Sequence, residues 1–212
     1  MASEKGLSAL GTVVSGFLLR LFTVHSLRAA SVMTVTGGAI GYQSDIIDLS
    51  LPAKEVIATP AEATILDLRG KLPAHGAKEY PIRDTRVITT LFWHHTATPS
   101  TATWDAIARG HVKERNWAGI GYHVGVDRDG RIAILNPLER LTNHTSGNNT
   151  RGVGVVLLGN YEKDALTPAM EASIERVRKW MKGKGIMEEK LHRDVKATAC
   201  PGKNAVAYLR VQ

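Results

Sequence analysis

Cysteine is nearly absent: the chain has one, Cys200, among 212 residues. No disulfide can close within it, which excludes a small secreted scaffold stapled by cystines. Long apolar runs are missing as well. The N-terminal candidate, Gly6–Leu19, is 14 residues without a charge, short of the roughly 20 that a bilayer-spanning helix needs. No internal repeat or low-complexity tract appears, and aromatic residues make up only 6%. What remains is ordinary: 43% apolar and 22% charged residues, the composition of a globular protein. Lys+Arg exceed Asp+Glu by 27 to 20, a net +7. That excess favours an anionic partner: nucleic acid, an acidic lipid surface or an anionic wall polymer.

The charge divides the chain in two. Residues 1–60 hold four basic side chains (Lys5, Arg20, Arg28, Lys54) and four acidic ones (Glu4, Asp45, Asp48, Glu55), so the whole excess belongs to residues 61–212. Within the neutral part, Leu7–Val24 is apolar apart from Arg20, and Leu7, Leu10, Val14, Phe17, Leu21 and Val24 recur at helical spacing. As a signal peptide the segment is poor, because Glu4 offsets Lys5 and Arg28 precedes Ala29-Ala30. Two readings stand: an amphipathic helix packed on protein, or a membrane contact through Leu7–Val24 with Arg20 snorkelling. Residues 31–62, rich in Val, Ile, Thr, Ala and Gly, suit short strands or an extended arm.

Beyond residue 62 strands and helices alternate. Val87–Trp93 and Val153–Leu158 read as buried strands, and Gly121–Val126 and Arg131–Leu135 flank an Asp129-Gly130 turn. Thr101–Lys113 reads as a helix with Trp104, Ile107, Ala108 and His111 on one face. Thr167-Pro168 opens a second helix striped by Met170, Ile174, Val177 and Met181 and ending near Gly183–Gly185. The fold class is α/β, a central mixed sheet flanked by helices over residues 63–212, with residues 1–62 as a non-catalytic arm.

Three segments concentrate metal-binding chemistry: Trp93-His94-His95-Thr96-Ala97-Thr98, Gly121-Tyr122-His123, and Leu191 through Gly202 with His192 and Cys200. Two imidazoles and a thiolate make a sound open zinc site, with a fourth position left free. Strand alternation turns His94 to the face opposite Trp93 and His95. The eight-residue step from His192 to Cys200 misses one helix face but suits a loop folding back on a metal. The same residues also admit a plainer reading, a hydrogen-bonded core histidine and a small buried cysteine. His95 and His123 neighbour functional positions on strands and turn away from them. His111, on the buried stripe of its helix, reads as structural. The sequons Asn143-His144-Thr145 and Asn148-Asn149-Thr150 read as turn chemistry.

Taken together, these motifs resemble the zinc amidase family that includes coliphage amidase-type lysozymes and the peptidoglycan recognition proteins. Its strand ending in His-x-Ser/Thr-Ala is matched by His94-His95-Thr96-Ala97. Its Gly-Tyr-His/Asn before a strand and an Asp-Gly turn is matched by Gly121-Tyr122-His123 and Asp129-Gly130, with a similar His111–Trp117 segment ahead of it. Its His-x7-Cys-Pro is matched by His192 through Pro201, and a loop histidine, His144, precedes the strand Gly152–Gly159. The likeness covers roughly residues 63–212.

The resemblance implies zinc held by His94, His192 and Cys200, Tyr122 as the catalytic tyrosine, and His144 lining the groove against substrate. Thr198 stands two before the cysteine, where the phage enzymes carry lysine and amidase-active recognition proteins commonly carry threonine. Lys196, four before it, is not aligned with that position. An unperturbed phenol has a pKa near 10, so Tyr122 is not the sole base. The reaction implied is hydrolysis of the amide between N-acetylmuramic acid and L-alanine in peptidoglycan. The alternatives are a peptidoglycan-binding module without catalysis and a structural virion component. Nucleic acid is not expected as a partner, since net charge is its only support. The expected setting is a phage-encoded, virion-associated wall hydrolase acting in the virion or host cell envelope, with residues 1–60 docked on tail or other phage structural proteins. A membrane-tethered endolysin, made in the host cytoplasm before lysis, is the other setting.

Overall fold

The computed structural model describes residues 64–211 and the backbone of two strands nearer the N-terminus. The chain divides into two units, Met1–Thr59 and Pro60–Gln212. In the first, β1 (Val32–Thr36) pairs antiparallel with β2 (Ala39–Gln43), Val32 opposite Gln43 and Thr36 opposite Ala39. These strands fall in the β-branched stretch read above as short strands; the apolar segment Leu7–Val24 lies outside the described residues. Among the described residues no helix is long and apolar enough to cross a membrane.

The second unit is built on a six-stranded sheet: β3 (Ile65–Asp67), β4 (Thr90–His95), β5 (Val124–Val126), β6 (Ile132–Ile134), β7 (Gly152–Leu157) and β8 (Glu188–Leu191), in the order β3-β6-β5-β7-β4-β8. Every neighbouring pair is parallel except the β5–β6 hairpin. Helices α1 (Trp104–Arg115), α2 (Pro168–Gly183) and α3 (Lys203–Leu209) flank it. The α/β class with a mixed sheet follows from the pattern of apolar strands and striped helices.

Strands β4 and β7 are buried along their whole length, so alternation decides only which of two cores each residue joins. Leu91, Trp93, Val153, Val155 and Leu157 face one core, where α2 adds Met170, Ile174, Val177 and Met181. Each such buried side chain contributes about 1.5–3 kcal/mol. Thr167 caps α2 by accepting the Met170 N–H at 3.1 Å, with Pro168 in its first turn. On the opposite face Trp104 and Ala108 of α1 pack on Ala133, Leu135, Val156 and Leu158. Gly125 makes that approach close: a Cβ there would lie 2.3 Å from the Trp104 indole. This face, between α1 and the ends of β4 and β7, carries the site.

Element starts differ from the sequence reading where a side chain caps the backbone. The first strand starts at Thr90, not Val87, because Asp84 caps a 3-10 turn over Thr85–Val87 by accepting the Arg86 N–H. Helix α1 starts at Trp104, since Thr103 accepts the Ala106 N–H and serves as its N-cap. The β5–β6 connection is organised by Asp127, whose Oδ1 accepts the N–H groups of both Asp129 and Arg131.

Candidate metal centre and groove

His94 is the penultimate residue of β4 and is 1% exposed. Its neighbours point elsewhere. The His95 ring accepts the Tyr161 N–H at 3.2 Å through Nδ1, while the His95 backbone N–H donates to Cys200 Sγ at 3.3 Å. His123 accepts the Gly154 N–H through Nδ1 and donates from Nε2 to the Arg140 carbonyl.

His192 follows β8 at the start of a 3-10 turn, His192–Asp194, and Cys200 closes the loop after it. Arg193 N–H donates to the Cys200 carbonyl at 3.1 Å, and Lys196 N–H donates to the His192 carbonyl. Thr198 Oγ1 accepts the Cys200 N–H at 3.2 Å. The His192 and His94 ring centroids are 4.6 Å apart.

One ligand atom each from His94, His192 and Cys200 lies within 4.8 Å of the others. Cys200 Sγ is 3.8 Å from His94 Nδ1. Zinc with S at about 2.3 Å and N at about 2.0–2.1 Å in a tetrahedron sets S···N at about 3.6 Å. The pair therefore needs only a slight contraction, and the donor set fits zinc. Burial, then the neighbouring His144 and His192, hold the His94 imidazolium well below its usual range. Burial and Lys196 lower His192 too. Both rings are thus neutral and able to ligate. Burial pushes the Cys200 thiol up to about 12, only partly opposed by the His95 N–H. A cation would offset that cost, because thiolate ligation deprotonates the sulfur.

The cluster borders a groove of about 830 Å³ lined by Tyr122, His111, Trp117, His144, His192 and Lys196, among others. Tyr122 lies 5.3 Å from His94 between ring centroids. Gly121 makes its placement achievable, since a Cβ there would meet the Asn143 carbonyl at 2.6 Å and Trp117 at 2.7 Å. Asn136 Nδ2 donates to the Ile120 and Tyr122 carbonyls, and His111 Nδ1 accepts the Gly121 N–H. His111, read from sequence as structural, thus supports the backbone and also forms groove wall. Burial, with Cys200 adding to it, raises the Tyr122 phenol above its ordinary range, so it remains a hydrogen-bond donor. Thr198 is half-buried beside Cys200, whereas Lys196 lines the groove.

His144 touches the groove but is only 7% exposed. Its Nδ1 lies 3.3 Å from His94 Nε2 and its Nε2 lies 3.1 Å from the Gly152 carbonyl. Two groups hold this loop, and the sequence reading reached only the first. Asn149 Oδ1 accepts the N–H groups of His144 and Thr145, which is the turn chemistry the sequon suggested. Arg83, buried, donates to the carbonyls of Leu138, Asn149, Thr150 and Gly152. Nothing in the local sequence marks Arg83, because its partners, these carbonyls and the His123 ring at 3.0 Å, all lie far along the chain.

A family model described as N-acetylmuramoyl-L-alanine amidase (Amidase_2) matches residues 84–203. Among curated proteins, the human N-acetylmuramoyl-L-alanine amidase is 30% identical over 137 residues, 57% of this chain. The chain spans only 23% of that relative's length. Among solved structures, the N-acetylmuramoyl-L-alanine amidase LysC from Clostridium intestinale URNW matches with a TM-score of 0.57 at 29% identity, over 70% of this chain and 99% of that one. The Ph2119 endolysin from Thermus scotoductus MAT2119 bacteriophage Ph2119 matches with a TM-score of 0.58 at 26% identity, over 66% of this chain and 92% of that one.

Proposed function

The chain belongs to the N-acetylmuramoyl-L-alanine amidase family, and on that premise we propose that it is a zinc-dependent hydrolase of bacterial peptidoglycan. Its bond is the amide between N-acetylmuramic acid and L-alanine. The observation that carries this reading is the gathering of His94, His192 and Cys200 within 4.8 Å at a groove that Tyr122 also lines. When bound, zinc supplies Lewis-acid activation of water and of the scissile carbonyl.

The protein's own residues supply the rest. The groove receives a glycan-linked peptide, with Trp117 and His111 as flat walls and Lys196 as a cation for the acidic wall polymer. Tyr122 keeps its proton and donates a hydrogen bond to the oxygen that gains charge in the transition state. Thr198 already accepts the Cys200 N–H, which leaves its O–H to donate nearby. A module that binds without cutting is the lesser reading, because all three ligand-type side chains and the tyrosine are in place.

The endolysin likeness supports a phage origin. The neutral charge of residues 1–60 supports a separate role for them, docking on phage structural proteins and giving a virion-associated enzyme. A chain starting near Ala61 is expected to cleave wall but to be lost from particles; a dead fragment with its zinc bound would show that the arm belongs to the enzyme.

Mass spectrometry of purified sacculi digested by the full chain tests the activity. The expected products are glycan with intact N-acetylmuramic acid and peptides with a free L-alanine amine. Cleavage within the glycan or within the peptide stem would overturn the assignment.

A further inference from the structure

We infer that His144 is a positioning residue for His94: its Nδ1 accepts the His94 Nε2–H, which fixes the His94 tautomer and leaves the bare Nδ1 lone pair on the side of Cys200. The inference deepens the zinc-site reading above and rests on it.

The hydrogen-bond chain has one consistent sense. His144 Nε2 faces the Gly152 carbonyl at 3.1 Å, and a carbonyl oxygen can only accept, so that nitrogen carries the hydrogen. His144 Nδ1 then has a lone pair, and it faces His94 Nε2 at 3.3 Å. The Thr145 hydroxyl lies between the rings, 3.0 Å from His144 Nδ1 and 3.2 Å from His94 Nε2. It can donate to the first and accept from the second without disturbing that sense. His94 Nε2 therefore holds the hydrogen, and Nδ1, 3.8 Å from Cys200 Sγ, is free to ligate.

The fold builds a berth for this ring. On the site face of β7 the residues beneath it are Gly152 and Gly154. A Cβ on Gly152 would come within 2.9 Å of His144 Cε1, and one on Gly154 within 2.6 Å of Cγ. Phe92 packs at 5.9 Å, and Asn149 anchors the backbone N–H of His144. Both ring nitrogens are engaged and only 7% of the residue is exposed, so the ring is held in one place beside His94. Groups that orient a metal-bound histidine typically change metal affinity by 10–100-fold when removed.

The test uses the full chain. In metal-free wild-type protein, long-range 15N–1H correlation spectra are expected to place hydrogen on Nε2 of both His94 and His144. A hydrogen on Nδ1 of His94 would overturn the inference. Zinc affinity, read by competition with a chromogenic chelator, is expected to fall about 10–100-fold in His144→Phe. His144→Asn, whose amide oxygen can stand in for Nδ1, should recover most of that loss. Gly154→Ala, which displaces the ring without changing it, should lower affinity as well. Wild-type affinity in both His144→Phe and Gly154→Ala would sink the idea, and Gly154→Ala with the spectra decides it should His144→Phe not fold. A wild-type chain that binds no zinc would overturn the zinc reading instead, and the metal-free spectra would still decide the tautomer.

Discussion

The backbone N–H of Arg193 donates to the carbonyl of Cys200 across 3.1 Å, and that bond closes the loop that sets His192 beside the thiol. The two ligand-type side chains come from the mouth of one loop, while His94 comes from the end of a strand deep in the sheet. Such an arrangement couples the site to the β4–β8 pairing, in which Trp93 lies opposite Leu191.

Tyr122→Phe should lower kcat on peptidoglycan by about 10²–10³-fold, as expected for loss of one donor to a developing oxyanion. Zinc content should not change, because the phenol is not among the ligand-type groups and the ring keeps its packing. The check is turnover measured beside metal analysis on the same preparation. Equal turnover in mutant and wild type would reduce Tyr122 to a packing role.

Much of this site was legible beforehand, for a physical reason. Alternation alone separates His94 from Trp93 and His95, and a step of eight with Pro-Gly beyond it can only be a loop. Residues whose partners are distant in sequence were not legible. Arg83 meets carbonyls more than fifty positions away, and the His94–His144 contact spans fifty residues. His111 was assigned to the core from its helical face, yet the close approach of Gly121 and Tyr122 brings it to the groove. The starts of β4 and α1 each moved three residues along the chain, where a capping side chain, Asp84 or Thr103, outweighed the apolar pattern.

Arg83→Met should destabilise the protein by about 3 kcal/mol, since hydrogen bonds to a buried charged group are lost and the Leu138 and Thr150 carbonyls lose their donor. Burial already lowers the Arg83 guanidinium to about 10, but its fork still spans Leu138, Asn149 and Gly152. Arg83→Lys should not rescue it, because an ammonium cannot reproduce that planar fork. Urea unfolding of the three proteins decides the matter; a lysine variant as stable as wild type would contradict the clasp.

Stability should fall as pH falls below about 6.5. Burial lowers His123 to about 3 and His111 to about 4, while the unfolded chain titrates near 6.5. Between those values the unfolded state binds more protons, so the contribution is complete above pH 6.5 and is lost progressively down through the folded values. His123 alone sets a slope on the order of 1 kcal/mol per pH unit in that window. Denaturant titrations at pH 7, 6 and 5 read the slope; stability that stays flat or rises on acidification would mean these rings are not held neutral.

Gly125→Ala should cost about 1–3 kcal/mol through overpacking, because the new methyl would meet the Trp104 indole that seats α1 on the sheet. Activity should fall with it, since α1 carries His111 and the groove wall. The comparison is thermal unfolding alongside turnover, and an unchanged melting temperature would mean that α1 moves aside freely.

X-ray absorption at the zinc edge, on full-length protein purified without added metal and then given one equivalent of zinc, tests the central claim most directly. The expected spectrum has one sulfur at about 2.3 Å and two imidazole nitrogens at about 2.0–2.1 Å, with the sulfur absent in Cys200→Ala. A bound zinc without sulfur in the wild-type spectrum, or a spectrum that Cys200→Ala leaves unchanged, would contradict a centre made of His94, His192 and Cys200.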